Sequence, residues 1–242
     1  MSYVIDTNNK LILIPHIPKT AGCAVGEYLE KHFDFIYGQS EQPSWDNCSE
    51  LTRRINGHNR VQECQKAMID IYGDKLKDKE TILISIVRNP WSWWKSWFFF
   101  IPQIVNTDSD FQLERNELYT HNMGFEEFLL WMKENKDRCV FQNKDMNTPK
   151  YDQMVNWVRD DVFDFDKSYV CETHESGELL PKIFSECGFN SDISILLNNE
   201  SKSVGYTNNE IYNERTRKIV ENFHKDDIIR YDFTWNKYKD MK

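Results

Sequence analysis

The sequence predicts an α/β fold with a parallel central sheet flanked by helices, and three observations predict it. Thr81-Ile82-Leu83-Ile84-Ser85-Ile86-Val87 is a continuous β-branched and apolar run, the pattern of a strand buried on both faces of a parallel sheet. Leu11 to Ile14 is a second, shorter run that breaks at Pro15 and Pro18. Between and beyond these, strand-like and helix-periodic segments alternate, which calls for helices on both sides of the sheet. The 242 residues suffice for one sizeable core, and no linker, repeat or low-complexity tract divides them. A single domain, 1–242, is expected.

The elements follow in order. Met1 to Lys10 is polar, and the first apolar run is the strand Leu11–Ile14. Helix 22–33 sets Val25, Leu29 and Phe33 on one face, and a short strand is expected around Phe35 to Tyr37. Gly38 to Asn59 is polar and irregular; 60–72 reads as helix, and Lys75 to Lys79 as a surface turn before the central strand. Asn89 is a good N-cap and Pro90 suits the first helical position, so a helix over 90–100 starts directly after Arg88. The polar stretch Asn106 to Asn122 reads as a mobile loop. Phe125, Phe128, Leu129 and Met132 form a helical stripe. A helix near 151–159, a strand at Tyr169–Cys171 and a helix at Leu179–Cys187 continue the alternation. Tyr212, Thr216, Ile219, Val220 and Phe223 share one face near the C-terminus.

Charge and composition narrow the function classes. A net charge of −9 argues against broad nucleic-acid or anionic-membrane binding. The most apolar window, Trp91 to Ile101, is too short to span a bilayer and contains Lys95. With a polar N-terminus and no secretory signal, a cytoplasmic location is expected. The six cysteines lack zinc-like spacing with histidine, so reduced core thiols and no metal are expected.

Two segments carry chemistry. Ile14-Pro15-His16-Ile17-Pro18-Lys19-Thr20-Ala21-Gly22 joins a strand to a helix through a turn that bears a lysine. Free N–H groups of a first helical turn and the helix dipole make such a junction an anion site. It is no Walker A loop, because Lys19 precedes Gly22 and no Gly-x-x-x-x-Gly-Lys is present. The second segment is Val87-Arg88-Asn89-Pro90-Trp91, with Ser96 two turns into the helix. Arg88 ends a buried strand and needs an anionic partner, either a structural carboxylate or a phosphate gripped together with Ser96.

Pro-Lys-Thr-Ala-Gly followed by Val-Arg-Asn-Pro-Trp and a serine eight residues after the arginine resembles the PAPS-dependent sulfotransferase family. The likeness is to its carbohydrate type, which includes the heparan sulfate 2-O-sulfotransferases. The resemblance implies a P-loop-NTPase-like sulfotransferase architecture that uses 3′-phosphoadenosine-5′-phosphosulfate (PAPS) as co-substrate. It implies Pro18, Lys19, Thr20, Ala21, Gly22, Cys23 and Ala24 at the 5′-phosphosulfate, and Arg88 and Ser96 at the 3′-phosphate. Lys202 and Ser203 resemble a late loop that closes on the nucleotide. Ile55-Asn56-Gly57-His58 falls where relatives carry Gly-His, which implies His58 as catalytic base beside Lys19; on residues alone His58 is a turn histidine. Tyr206 to Phe233 is similar to the family's closing helix and strand, and 101–150 is an acceptor-side lid or insert.

Relatives read Thr-Ser where this chain has Cys23-Ala24, so two hydroxyls at the phosphosulfate are absent. The expected reaction moves a sulfuryl group from PAPS to a hydroxyl of a glycan or small molecule, without metal, nucleic acid or membrane. The alternatives are a catalytically impaired nucleotide- or glycan-binding member of the same fold, and a nucleotide-dependent kinase. His16 is expected to support the lysine loop. The tryptophans of 91–97 are core at helical spacing, with one ring available to line an acceptor cleft.

Overall fold

The computed structural model describes residues 2–22, 24–26, 29, 50–55, 58–103, 113–114, 117, 123–142, 147–189 and 205–241. They form two compact units, Met1–Val87 with Trp157–Asn199 and Arg88–Asn156 with Glu200–Lys242. The expected strand at Phe35–Tyr37 and most of the Asn106–Asn122 stretch lie outside the described residues, as do Cys23, Lys202 and Ser203.

The first unit is a four-stranded sheet in the order β1-β2-β3-β6, with β1 Tyr3–Asp6, β2 Lys10–Ile14, β3 Glu80–Val87 and β6 Lys167–Glu172. β2, β3 and β6 are mutually parallel, aligned Ile12↔Ile82 and Ile84↔Tyr169. The sheet is nevertheless mixed, a correction to the expected parallel sheet. The polar N-terminal segment, to which no strand was assigned from sequence, forms β1, antiparallel to β2 with Tyr3 opposite Ile14. Three residues connect the two strands, too few for a crossover, so only a hairpin can form. Thr7 closes it: its N–H donates to the Lys10 carbonyl at 2.9 Å, and its hydroxyl accepts from the Lys10 N–H at 3.0 Å.

Alternation along the strands sends side chains to two cores. One joins Tyr3, Ile12, Ile14, Ile82, Ile84 and Ile86 to Val25 and Leu29 of helix α1 (residues 22, 24–26 and 29 as described) and to Leu180, Ile183 and Phe184. The last three lie on the helix Ser176–Glu186. The other joins Val4, Leu11, Leu13 and Leu83 to Leu51 of α2 (Glu50–Arg54) and to Val61, Cys64 and Met68 of α3 (Val61–Tyr72). Helices therefore cover both faces. At the head of β3, Asp166 accepts from the Thr81 N–H at 2.7 Å and the Thr81 hydroxyl at 2.9 Å, fixing the entry to β6.

The second unit is built on α4, Pro90–Phe100. Trp91, Trp93, Trp94 and Trp97 are all buried. Trp94 stacks on Tyr151 at 5.8 Å and meets Phe128 of α5 (Phe125–Asn135) edge-on at 5.9 Å. These indoles are core. β4 (Val140–Gln142) and β5 (Asn147–Pro149) form a small antiparallel hairpin, and α6 (Met154–Trp157) is shorter than the helix expected near 151–159. With the Ser176–Glu186 helix counted as α7, the C-terminal run holds α8 Asn208–Ile211, α9 Glu214–Phe223, α10 Lys225–Tyr231 and α11 Trp235–Tyr238. Its regular parts are all helical, without the strand implied for Tyr206 to Phe233. Among the described residues no helix is long and apolar enough to cross a membrane. Cys64, Cys139, Cys171 and Cys187 are buried free thiols, and burial pushes their pKa values up.

Candidate functional site

In the first unit the site grows out of the β2–α1 loop. Pro15 and Pro18 cannot donate to a ladder, so the chain leaves the sheet after Ile14 and turns. Lys19 and Ala21 then adopt left-handed backbone, with φ of +64° and +66°, while Thr20 between them does not. Left-handed backbone costs a residue with a Cβ roughly 1–2 kcal/mol, and strain of this kind gathers where a ligand is held. Alternating hand along successive residues turns their N–H groups into one concavity, the nest geometry that binds anions. The Ala21 carbonyl accepts from the Val25 N–H at 3.1 Å, so α1 starts at Gly22 and its unspent N–H groups follow directly. Lys19 is half-buried at the mouth of this turn.

Side chains brace the loop from beneath. The Thr20 hydroxyl is buried and donates to the Ile17 carbonyl at 2.8 Å. At the phosphosulfate expected there, Thr20 therefore has its N–H to offer. The His16 imidazole lies against Gly22 so closely that a Cβ on Gly22 would sit 2.0 Å from Nε2. Tyr3 donates to the Gly22 carbonyl at 2.9 Å, and its hydroxyl lies 2.4 Å from where a Cβ on Gly26 would be. Both glycines are required by close approach.

His58 stands beside this loop. Its Nδ1 lies 3.3 Å from the His16 carbonyl oxygen, and the two rings are 4.5 Å apart. A carbonyl only accepts, so Nδ1 carries the proton and the basic lone pair is on Nε2. His16 thereby serves twice, its ring against Gly22 and its carbonyl fixing the His58 tautomer.

In the second unit, Arg88 directly precedes the cap of α4. Asn89 Oδ1 accepts from the Ser92 N–H at 2.8 Å, and the Arg88 N–H meets the Met154 sulfur at 3.3 Å. Burial of the Arg88 guanidinium pushes its pKa down to about 10, partly offset by the nearby Tyr212 phenol. Tyr212 donates to the Trp91 carbonyl at 2.8 Å. Ser96 is buried, and its hydroxyl makes no hydrogen bond among the described residues.

Sequence reasoning missed Lys95. It is fully buried, with Nζ donating to the carbonyls of Tyr206 at 3.1 Å and Met241 at 3.0 Å. Burial first, and then the Arg88 charge, pull its pKa down to about 8, while Glu210 acts the other way. The available signal was a lysine inside an otherwise apolar helix, which served only to argue against a membrane span.

One group among the described residues has the composition of a metal site: Glu172, His174 and Glu175. The His174 Nδ1 lies 3.4 Å from Glu172 and its Nε2 3.8 Å from Glu175. One ligand atom from each of the three lies within 4.8 Å of the others, and the Glu172 side chain is partly buried while that of Glu175 is more exposed. Pro18, Lys19, Thr20, Ala21, Gly22 and Ala24 thus lie on one strand–turn–helix in the first unit, with His58 beside it, and in the second Arg88 lies just before α4 and Ser96 within it. Comparison with family models, with curated proteins and with solved structures gives no match.

Proposed function

We propose that this chain is a sulfotransferase that moves the sulfuryl group of PAPS to an acceptor hydroxyl, with a carbohydrate as the acceptor class. The observation that carries the reading is the β2–α1 loop, where left-handed Lys19 and Ala21 turn backbone donors toward one point in front of a helix start. The loop is assigned to the 5′-phosphosulfate and the Arg88–Ser96 end of α4 to the 3′-phosphate. In the reaction the acceptor oxygen forms a bond to sulfur as the bond from sulfur to the bridging phosphate oxygen breaks. Lys19 and the loop N–H groups stabilise charge that grows on the bridging oxygen. His58 takes the acceptor proton through Nε2, the lone pair its contact to His16 leaves basic. Adenosine 3′,5′-bisphosphate is the leaving group, and alignment with electrostatics supplies most of the rate.

A second reading has a specific observation behind it. Cys23 and Ala24 replace two hydroxyl residues, and the one remaining loop hydroxyl, on Thr20, is spent on Ile17. That loss suits a member of the fold that binds nucleotide and turns over slowly or not at all, since a hydrogen bond to a charged group contributes about 1.5–3 kcal/mol.

Transfer from labelled PAPS to a panel of glycans, measured together with bisphosphate affinity, tests both. Sulfated product from the wild type is expected. His58→Ala is expected to lower transfer by roughly 10²–10⁴-fold with affinity unchanged, the usual share of a positioned base. Tight nucleotide binding without transfer to any acceptor would favour the second reading, and absence of nucleotide binding would overturn both.

A further inference from the structure

The contact that orients His58 is closed by a residue outside both the loop and the turn. Pairing of β1 with β2 ends at Tyr3 opposite Ile14. The next residue, Pro15, has no N–H with which to extend the ladder. A side chain takes over at that point. The Ser2 hydroxyl accepts from the His16 N–H at 3.2 Å and donates to the Asn59 carbonyl at 3.4 Å. The His16 carbonyl in turn faces His58 Nδ1 at 3.3 Å, and Asn59 follows His58 in the chain. Three hydrogen bonds therefore close one circuit through the N-terminal strand, the lysine loop and the His58 turn. Ser2 and Asn59 are only 5% and 8% exposed, so these bonds are shielded from water. The same hydroxyl also hydrogen-bonds with the Cys64 thiol of α3, and Tyr3 beside it donates to the Gly22 carbonyl. Two consecutive residues of one segment thus hold the head and the end of the loop. His16 enters the circuit only through its backbone, so Ser2 is the side chain whose removal opens it without touching the base.

We propose that Ser2 is a positioning residue for His58: its hydroxyl ties the His58 turn to the β2–α1 loop and so sets the direction of the basic Nε2. The inference rests on the transfer reading above. Loss of the hydroxyl takes a buried partner from the His16 N–H and from the Asn59 carbonyl together. Loop and turn are then no longer joined at that point, and the Nδ1 contact that selects the tautomer loosens. The backbone donors around Lys19 and Ala21 are not part of the circuit. Nucleotide is therefore held as before, while the base is misaligned with the acceptor.

The test compares Ser2→Val with Ser2→Thr, two variants of like size that differ in the hydroxyl. Transfer at saturating PAPS and bisphosphate affinity are measured on each, alone and combined with His58→Ala. Ser2→Val is expected to lower transfer about 10–100-fold, in keeping with the effect of a small misplacement, with affinity unchanged. Ser2→Thr is expected to stay close to wild type. On the His58→Ala background Ser2→Val is expected to have no further effect, because residues that act as a unit are not additive. A loss that multiplies with that of His58→Ala, or that falls on affinity and transfer alike, is the mark of a merely structural hydroxyl and overturns the role. A second readout needs no substrate. The nitrogen chemical shifts of the His58 imidazole, taken where it is neutral, report which nitrogen holds the proton. Wild type and Ser2→Thr are expected in the Nδ1–H form, and Ser2→Val as a mixture of the two. A Ser2→Val imidazole that stays wholly Nδ1–H overturns the role of Ser2. Should that variant not fold, a wild-type imidazole in the Nε2–H form overturns it alone. A wild type without transfer in which Ser2→Val still shifts the tautomer contradicts the transfer reading and upholds the circuit.

Discussion

The identity of Gly22 is set by a neighbour six residues earlier in the chain: the His16 ring occupies the volume a Cβ would take, 2.0 Å from its Nε2. Gly22→Ala must push an imidazole that also packs against the His58 ring, with centroids 4.5 Å apart. The expected cost is about 1–3 kcal/mol, the range for overpacking. Removing the ring with His16→Ala relieves the clash, so Gly22→Ala costs less on that background than on the wild type. Denaturant unfolding of the four proteins checks this, since residues in contact are not additive; strictly additive costs would contradict the contact. Lys19, Gly22 and Arg88 were legible because strand, turn and helix signals surround them. Lys95 was not, because a pattern places a lysine in an apolar helix without saying which carbonyls receive it. The inward turn of the Thr20 hydroxyl was hidden for the same reason, being a contact with Ile17 that no spacing encodes.

At the scale of elements, β3 and α4 were the most legible, since an unbroken β-branched run and an Asn-Pro cap each name one structure. β1 was not. Its four residues carry too little pattern, and pairing with β2 decides their state. The Asp166 clip makes a testable element-level statement. Its carboxylate accepts from the Thr81 N–H and hydroxyl, and these bonds hold its pKa below the ordinary aspartate value. A lowered folded pKa means stability that is present above the unfolded value, about 3.9, and is lost as pH falls through the folded one. Asp166→Asn is therefore expected to be less stable than wild type at pH 7, with the difference closing below pH 4. Thermal unfolding of both proteins across pH 3–7 measures it, and a gap that persists or widens in acid would contradict the clip.

For the molecule as a whole, a net charge of −9 makes any anion site depend on local cations. The candidates supplied are Lys19 on a strained loop in one unit and Arg88 just before α4 in the other. The α/β class and the covering of both sheet faces were legible from alternation. The mixed sheet and the all-helical C-terminal run were not, because hairpin pairing and helix packing settle them. The most direct measurement is the thermal shift with adenosine 3′,5′-bisphosphate against ATP. At about 100 times its dissociation constant a ligand that binds only the folded chain adds roughly 2.7 kcal/mol. The account predicts a clear rise in melting temperature with the bisphosphate and a much smaller one with ATP, which lacks a 3′-phosphate. Equal shifts with the two nucleotides, or none with the bisphosphate, would contradict it.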